Sequence, residues 1–112
     1  MPGVNLGLQA LSAGTSLLPD ISVVEPKKVI GTNTVEAMRS GAVFATASMI
    51  DGMAERMEAE LGEPCRVIAT GGLAKIITGC CRRQILYDSQ LLLKGLWVLW
   101  ERNRKEKNAE KR

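Results

Sequence analysis

Two short segments of the sequence carry residue types suited to ligand chemistry. Thr70-Gly71-Gly72 follows the apolar run Val67-Ile68-Ala69. Glycines at such a place let a ligand approach the backbone, and the N–H groups that follow can meet phosphate or nucleotide oxygens. A tight turn between strand and helix is the commoner use of the same pair. Gly31-Thr32-Asn33-Thr34 stands before a long helical pattern. Thr34 falls in its first turn, where a hydroxyl and backbone N–H groups suit a carboxylate or a hydroxyl-bearing ligand. The competing use is simple capping of the helix by Asn33 and Thr34. The carboxylates offer no obvious catalytic pair. Asp51, Glu55, Glu58 and Glu60 fall on what the periodicity makes a solvated helix side, with Arg56 and Glu60 spaced for an ion pair. Asp88 follows a strand pattern near a possible cleft, with no partner base identified. Histidine is absent, which excludes Ser-His-Asp and Cys-His catalysis and every His-based metal site within this chain. The cysteines are Cys65, Cys80 and Cys81, with no Cys-x-x-Cys spacing, so no metal ligand set is expected. Cys80 and Cys81 read as buried apolar thiols in a reduced setting.

The elements that must position these residues follow from periodicity. Val4, Leu8 and Leu11 recur at helical spacing after a Pro2-Gly3 breaker, and Gly14 and Pro19 bracket a loop. Ile21 to Val24 reads as a strand or extended piece ended by Pro26. Asn33 followed by Glu36 fits a capping box. Apolar residues then recur at Val35, Met38, Ala42, Ala45, Met49, Met53 and Met57 until Gly62-Glu63-Pro64 stop the helix. A second stripe, Gly41, Ala45, Ser48 and Gly52, is small throughout and suits close packing against another element. Cys65 to Ala69 reads as a buried strand, Leu73 to Ile77 as a helix and Ile85 to Tyr87 as a second strand. Leu91 to Glu101 reads as an amphipathic helix in which Trp97 and Trp100 pack against the body or a partner. This alternation predicts an α/β fold. Two or three short strands rarely cover so many apolar helix faces, so the chain is expected to be a piece of something larger or to complete its core by dimerising.

Composition bounds the rest. The chain has 112 residues, of which 46% are hydrophobic and 4% aromatic, enough for one small core and too few rings for a nucleic-acid stacking platform. The net charge of +3 sits wholly in the mixed-sign stretch Glu101 to Arg112, which predicts a solvated, disordered tail over 104–112 rather than a nucleic-acid arm. The apolar run from Gly41 to Ile50 is too short to span a bilayer. The expectations are no nucleic acid, no membrane and a cytoplasmic setting.

Several segments, taken in order, resemble the C-terminal half of type III pantothenate kinases. They are the run from Pro2 to Leu11, Leu18-Pro19, Ile30-Gly31-Thr32-Asn33-Thr34-Val35-Glu36-Ala37-Met38-Arg39-Ser40-Gly41, Val67-Ile68-Ala69-Thr70-Gly71-Gly72-Leu73, and Leu91-Leu92-Leu93-Lys94-Gly95-Leu96 through Glu101-Arg102-Asn103. The resemblance covers nearly the whole chain. It implies residues 1–103 as a partial second lobe of an acetate-and-sugar-kinase/actin-like (ribonuclease H-like) fold, lacking its first strands. The family transfers the γ-phosphoryl group of ATP to pantothenate, the first step of coenzyme A synthesis. It uses a divalent cation with ATP and commonly a monovalent one, potassium or ammonium. It forms homodimers in which a neighbouring subunit completes the pantothenate pocket. The threonine of that pocket matches Thr34, and the family's nucleotide-side turn matches Thr70, Gly71 and Gly72. Departures from the pattern matter as much. The family's phosphate loop, its Gly-x-Asp-Arg segment with the expected general base, and its second, cation-binding aspartate motif have no counterpart here. The expectation is therefore a chain that is inactive without the missing N-terminal half and holds no catalytic residue itself. The alternative is a non-enzymatic relic module that dimerises through its long helix.

Overall fold

A computed structural model describes residues 3–15, 18 and 21–112. The Pro2 breaker and the Pro19 end of the first loop lie outside the described residues. Helix α1, Val4–Ala13, opens the chain. After an irregular stretch, α2 (Thr34–Ser40) passes through a π-helical turn, Gly41–Ala45, into α3 (Thr46–Leu61), as one continuous helical rod. There follow β1 (Ile68–Ala69), α4 (Ala74–Gly79), β2 (Leu86–Tyr87) and α5 (Leu91–Glu110). The strands pair in parallel, Ile68 opposite Leu86 and Ala69 opposite Tyr87, and α4 makes the crossover between them. The fold is α/β, built on a minimal sheet.

The core is small because the sheet is. Val43, Ala47 and Ile77 form its buried centre, with Val4, Val23, Ile50, Ile76, Cys80 and Cys81 packed around them. The rod therefore buries one stripe against α1 and α4, and that stripe is not the one the periodicity marks. Met49, Met53 and Met57 are exposed, and a Cβ at Gly41 or Gly52 would meet nothing, so no described residue packs closely on the small stripe. The π turn explains part of the difference. Its bonds run five residues back instead of four, so a count in steps of three and four carried across Gly41–Ala45 drifts onto the neighbouring face. The rest is the absence of an opposing element among the described residues.

Other expectations shift in detail. Residues 21–26 are irregular and pair with no strand. The strands are two residues each, and Ile68 and Leu86 are exposed, so the first strand is not buried. Helix α5 continues past Glu101 through 104–110, where a solvated, frayed tail is expected. Residues 101–110 are mostly straight-chain helix formers. An Arg102–Glu106 ion pair at 3.4 Å and the Arg104 guanidinium 5.0 Å from the Trp100 ring support the added turns.

Candidate functional site

The start of α2 is built by local hydrogen bonds. The Asn33 side chain accepts from the Glu36 N–H at 2.9 Å, which is the first half of the capping box. The second half moves one residue upstream. The Glu36 carboxylate accepts from the Thr32 N–H at 2.9 Å and the Thr32 hydroxyl at 2.8 Å, with the Lys28 ammonium 3.2 Å away. The two Thr32 bonds, then Lys28, hold the Glu36 carboxyl down at about 2. Ser40 is buried and donates its hydroxyl to the Val29 carbonyl, tying the same loop to the end of α2.

With Asn33 and Glu36 doing the capping, the Thr34 hydroxyl meets no acceptor or donor among the described residues. It lines a mainly apolar cavity of about 810 Å³, between α1 and the rod, whose walls include Gly7, Leu8, Leu11, Met38 and Met49. A second cavity, of about 590 Å³, is lined by Thr70, Gly71 and Gly72 together with Leu73 and Ile77. Gly3, Val4 and Thr46 line both. The first turn of α1 and the start of α3 are thus the partition between Thr34 on one side and the Thr-Gly-Gly turn on the other.

The turn itself is open. Gly71 has φ +110°, a conformation that a side chain strains, and its carbonyl accepts from the Tyr87 hydroxyl at 3.3 Å and the Ala74 N–H at 3.3 Å. Those two bonds aim the chain into α4. Among the described residues no acceptor meets the N–H groups of Gly71, Gly72 and Leu73, and all three residues line the second cavity.

Of the four α3 carboxylates read as solvated, Glu55 and Glu60 are exposed, whereas Asp51 and Glu58 are structural. Asp51 accepts from the Arg82 N–H at 2.8 Å. Glu58 accepts from the Cys65 N–H at 2.8 Å and pairs with Arg83 at 2.8 Å. The Cys65 bond first, and Arg83 second, hold the Glu58 carboxyl below its ordinary value. No Arg56–Glu60 ion pair forms among the described residues. Asp88 is held low chiefly by Lys94, 2.7 Å away, and also accepts from the Gln90 N–H at 2.9 Å. It fastens the start of α5 and has no unpaired base beside it. Burial pushes the Cys80 and Cys81 thiols up, which keeps them protonated and unreactive at neutral pH. Sequence spacing could not reveal these roles, because Arg82, Arg83 and Cys65 reach α3 only through the fold. Gly31 was also missed: a Cβ there would stand 2.6 Å from the Ala37 Cα, and nothing in the local sequence shows that approach.

Among the described residues no group of His, Cys, Asp or Glu is arranged to hold a metal ion, and no helix is long and apolar enough to cross a membrane.

Comparison with known proteins adds an independent line. The family model described as type III pantothenate kinase matches residues 1–56. Among similar proteins, the type III pantothenate kinase of Hyphomonas neptunium is 42% identical over 92% of this chain and 40% of its own length. That of Myxococcus xanthus is 41% identical over 91% and 40%, and that of Solibacter usitatus 42% over 93% and 40%. The chain spans about two-fifths of the length of these relatives. With a matched half of the chain and sustained identity along nearly all of it, the chain belongs to the type III pantothenate kinase family.

Proposed function

We propose that this chain is the C-terminal part of a type III pantothenate kinase, a partial second lobe of the acetate-and-sugar-kinase/actin-like fold. It works in transferring the γ-phosphoryl group of ATP to pantothenate in the first step of coenzyme A synthesis. The observation that carries the reading is the division of labour at the start of α2. Asn33 and Glu36 cap the helix, and the Thr34 hydroxyl is left on the wall of the larger cavity. Pantothenate is an anion with hydroxyl groups and a branched apolar centre. A hydroxyl beside Leu8, Leu11 and Met38 suits that combination. Across the partition, the unpaired N–H groups of Gly71, Gly72 and Leu73 suit the oxygens of ATP. Phosphoryl transfer depends on positioning and charge neutralisation rather than on unusual side chains. ATP supplies the transferable phosphoryl group when bound, with a divalent cation. Among the described residues no cluster of His, Cys, Asp or Glu is arranged to hold a metal ion. That divalent cation, the potassium or ammonium ion and the general base belong in this reading to the segment that the relatives carry and this chain does not. A homodimer and a cytoplasmic setting complete the proposal.

The test is pantothenate-dependent ADP release. The chain alone is expected to show none. Fused to the segment of the Hyphomonas kinase outside the match, it is expected to turn over. In that fusion Thr34→Ala should raise KM for pantothenate about tenfold, the weight of one hydrogen bond to a charged group, and Thr34→Ser should restore it. Turnover by the isolated chain overturns its dependence on the remaining segment, and a Thr34→Ala fusion with unchanged KM overturns the role given to Thr34. The exposed stripe Met49, Met53 and Met57 favours a second reading, the non-enzymatic dimerising module. A stable dimer that binds neither ATP nor pantothenate selects it.

A further inference from the structure

We infer that a polar cavity beside α2 is a binding site for a phosphate group, either the free ion or a monoester of a small organic molecule. The cavity is lined by residues 24–28 and by Glu36 and Arg39 of α2, and its volume is about 480 Å³. None of these residues lines either of the two cavities described above. Glu36 and Arg39 stand three apart, so they share a face of α2. The bond from the Ser40 hydroxyl to the Val29 carbonyl ties the preceding segment to the end of that helix.

Unmatched charge marks this cavity. Its cations are Lys27, Lys28 and Arg39, and its carboxylates are Glu25 and Glu36. Lys28 and Glu36 answer each other at 3.2 Å, and Thr32 supplies the other two donors to the Glu36 carboxylate. Arg39 has no such answer. Its Nε is buried and meets no acceptor, and no hydrogen bond or ion pair reaches its guanidinium among the described residues. A buried donor left without an acceptor is costly, and folded proteins keep few of them. Glu25 does not supply one, since it pairs with neither Arg39 nor Lys27 among the described residues. Its charge acts instead on Cys80, whose thiol is held up first by burial and then by Glu25. An incoming group therefore meets two unpaired cations, Arg39 and Lys27. A phosphate matches them, with close to two negative charges at neutral pH and three acceptor oxygens, and the planar fork of Arg39 fits two of those oxygens at once. A carboxylate brings one charge and two oxygens, enough for the fork alone. The cavity is larger than a phosphate ion, and Val24 and Pro26 give it an apolar wall for an organic remainder.

The test titrates the full chain with inorganic phosphate, glycerol 2-phosphate and acetate, read by calorimetry and by amide chemical shifts. Phosphate is expected to bind at one site with a Kd of about 1 mM or tighter, as a few charge-assisted bonds allow, and to shift amides at 24–28 and 36–39. Arg39→Gln should weaken binding at least about tenfold, the weight of a hydrogen bond to a charged group. Lys27→Gln, at an exposed side chain whose loss leaves the fold intact, should weaken it about threefold. Lys105→Gln, on the outer half of α5, should change nothing. Tighter binding of glycerol 2-phosphate than of phosphate assigns the site to a monoester, and equal binding assigns it to the free ion. The inference is overturned if no saturable binding is seen, or if acetate binds as tightly as phosphate. It is overturned as well if both Arg39→Gln and Lys27→Gln bind like the parent, or if Lys105→Gln weakens binding as much as they do. Phosphate shifts confined to 71–73 overturn it too and leave the kinase reading of that turn standing. Shifts at 24–28 that vanish with Arg39→Gln uphold it whether or not the fusion phosphorylates pantothenate.

Discussion

Gly31 acts through what it lacks. A Cβ there would stand 2.6 Å from the Ala37 Cα and 2.7 Å from the Glu36 carbonyl carbon, and backbone atoms in a capped first turn have nowhere to go. Gly31→Ala is expected to cost about 3 kcal/mol by overpacking and to disturb the start of α2 that presents Thr34. Chemical denaturation read by circular dichroism measures this, and a variant as stable as the parent refutes the close approach. Glu36, in the same turn, carries a pH dependence. Its carboxyl sits at about 2 in the folded chain against an ordinary 4.5. The ionised form is the one bound by Thr32 and Lys28. Its contribution is therefore complete above the ordinary value and is lost as pH falls from there through about 2. Over that window the melting temperature of the parent should fall more than that of Glu36→Gln. The capping residues were legible in the sequence because a capping box is local. The partner of the Glu36 carboxylate was legible only to within one residue, because which of two adjacent donors it takes depends on how the loop before the helix turns.

At the scale of the elements, positions survived and faces did not. The start of the rod at Thr34, its end at Gly62 and the strand–turn–helix order around Gly71 all follow from neighbouring residues. The buried stripe does not. Val43 is 0% exposed at the centre of the core, whereas Met53 is 51% exposed, although both are apolar members of one rod. Val43→Ala is expected to cost about 2 kcal/mol through lost burial and a residual void, and Met53→Ala less than about 0.5 kcal/mol. A thermal melt of each variant measures the difference, and equal losses at the two positions refute the buried stripe that the π turn sets, since an uninterrupted α-helix would turn a different set of side chains toward α4. The small stripe Gly41, Ala45, Ser48 and Gly52 remains open among the described residues.

At the scale of the molecule, the chain is drawn out. Its radius of gyration is 19.1 Å and its extents are 68 × 35 × 21 Å, whereas a compact domain of this length has a radius near about 13 Å. Helix α5 accounts for much of the difference, because none of its residues is buried. Apolar surface is left in water at α5 and along the methionine stripe of α3. That distribution accords with a chain spanning two-fifths of the length of its relatives. The two cavities share Gly3, Val4 and Thr46 in their walls, so the first turn of α1 and the start of α3 border both candidate ligand sites. The expected lack of turnover by the isolated chain belongs to this scale.

The family, the α/β order, the capping of the rod and the two segments that line the cavities are all legible in the amino-acid chain. All of these are written in residues adjacent along the chain, where backbone hydrogen bonding and glycine conformation act over a few positions. Only the tertiary structure decided that Thr34 is free of the cap, that Asp51 and Glu58 brace the loop at Arg82 and Arg83, and which stripe of the rod is buried. It alone showed that α5 is uncovered. Those outcomes depend on which distant atoms fill the space beside a given face, and periodicity marks a face as apolar without naming what lies against it.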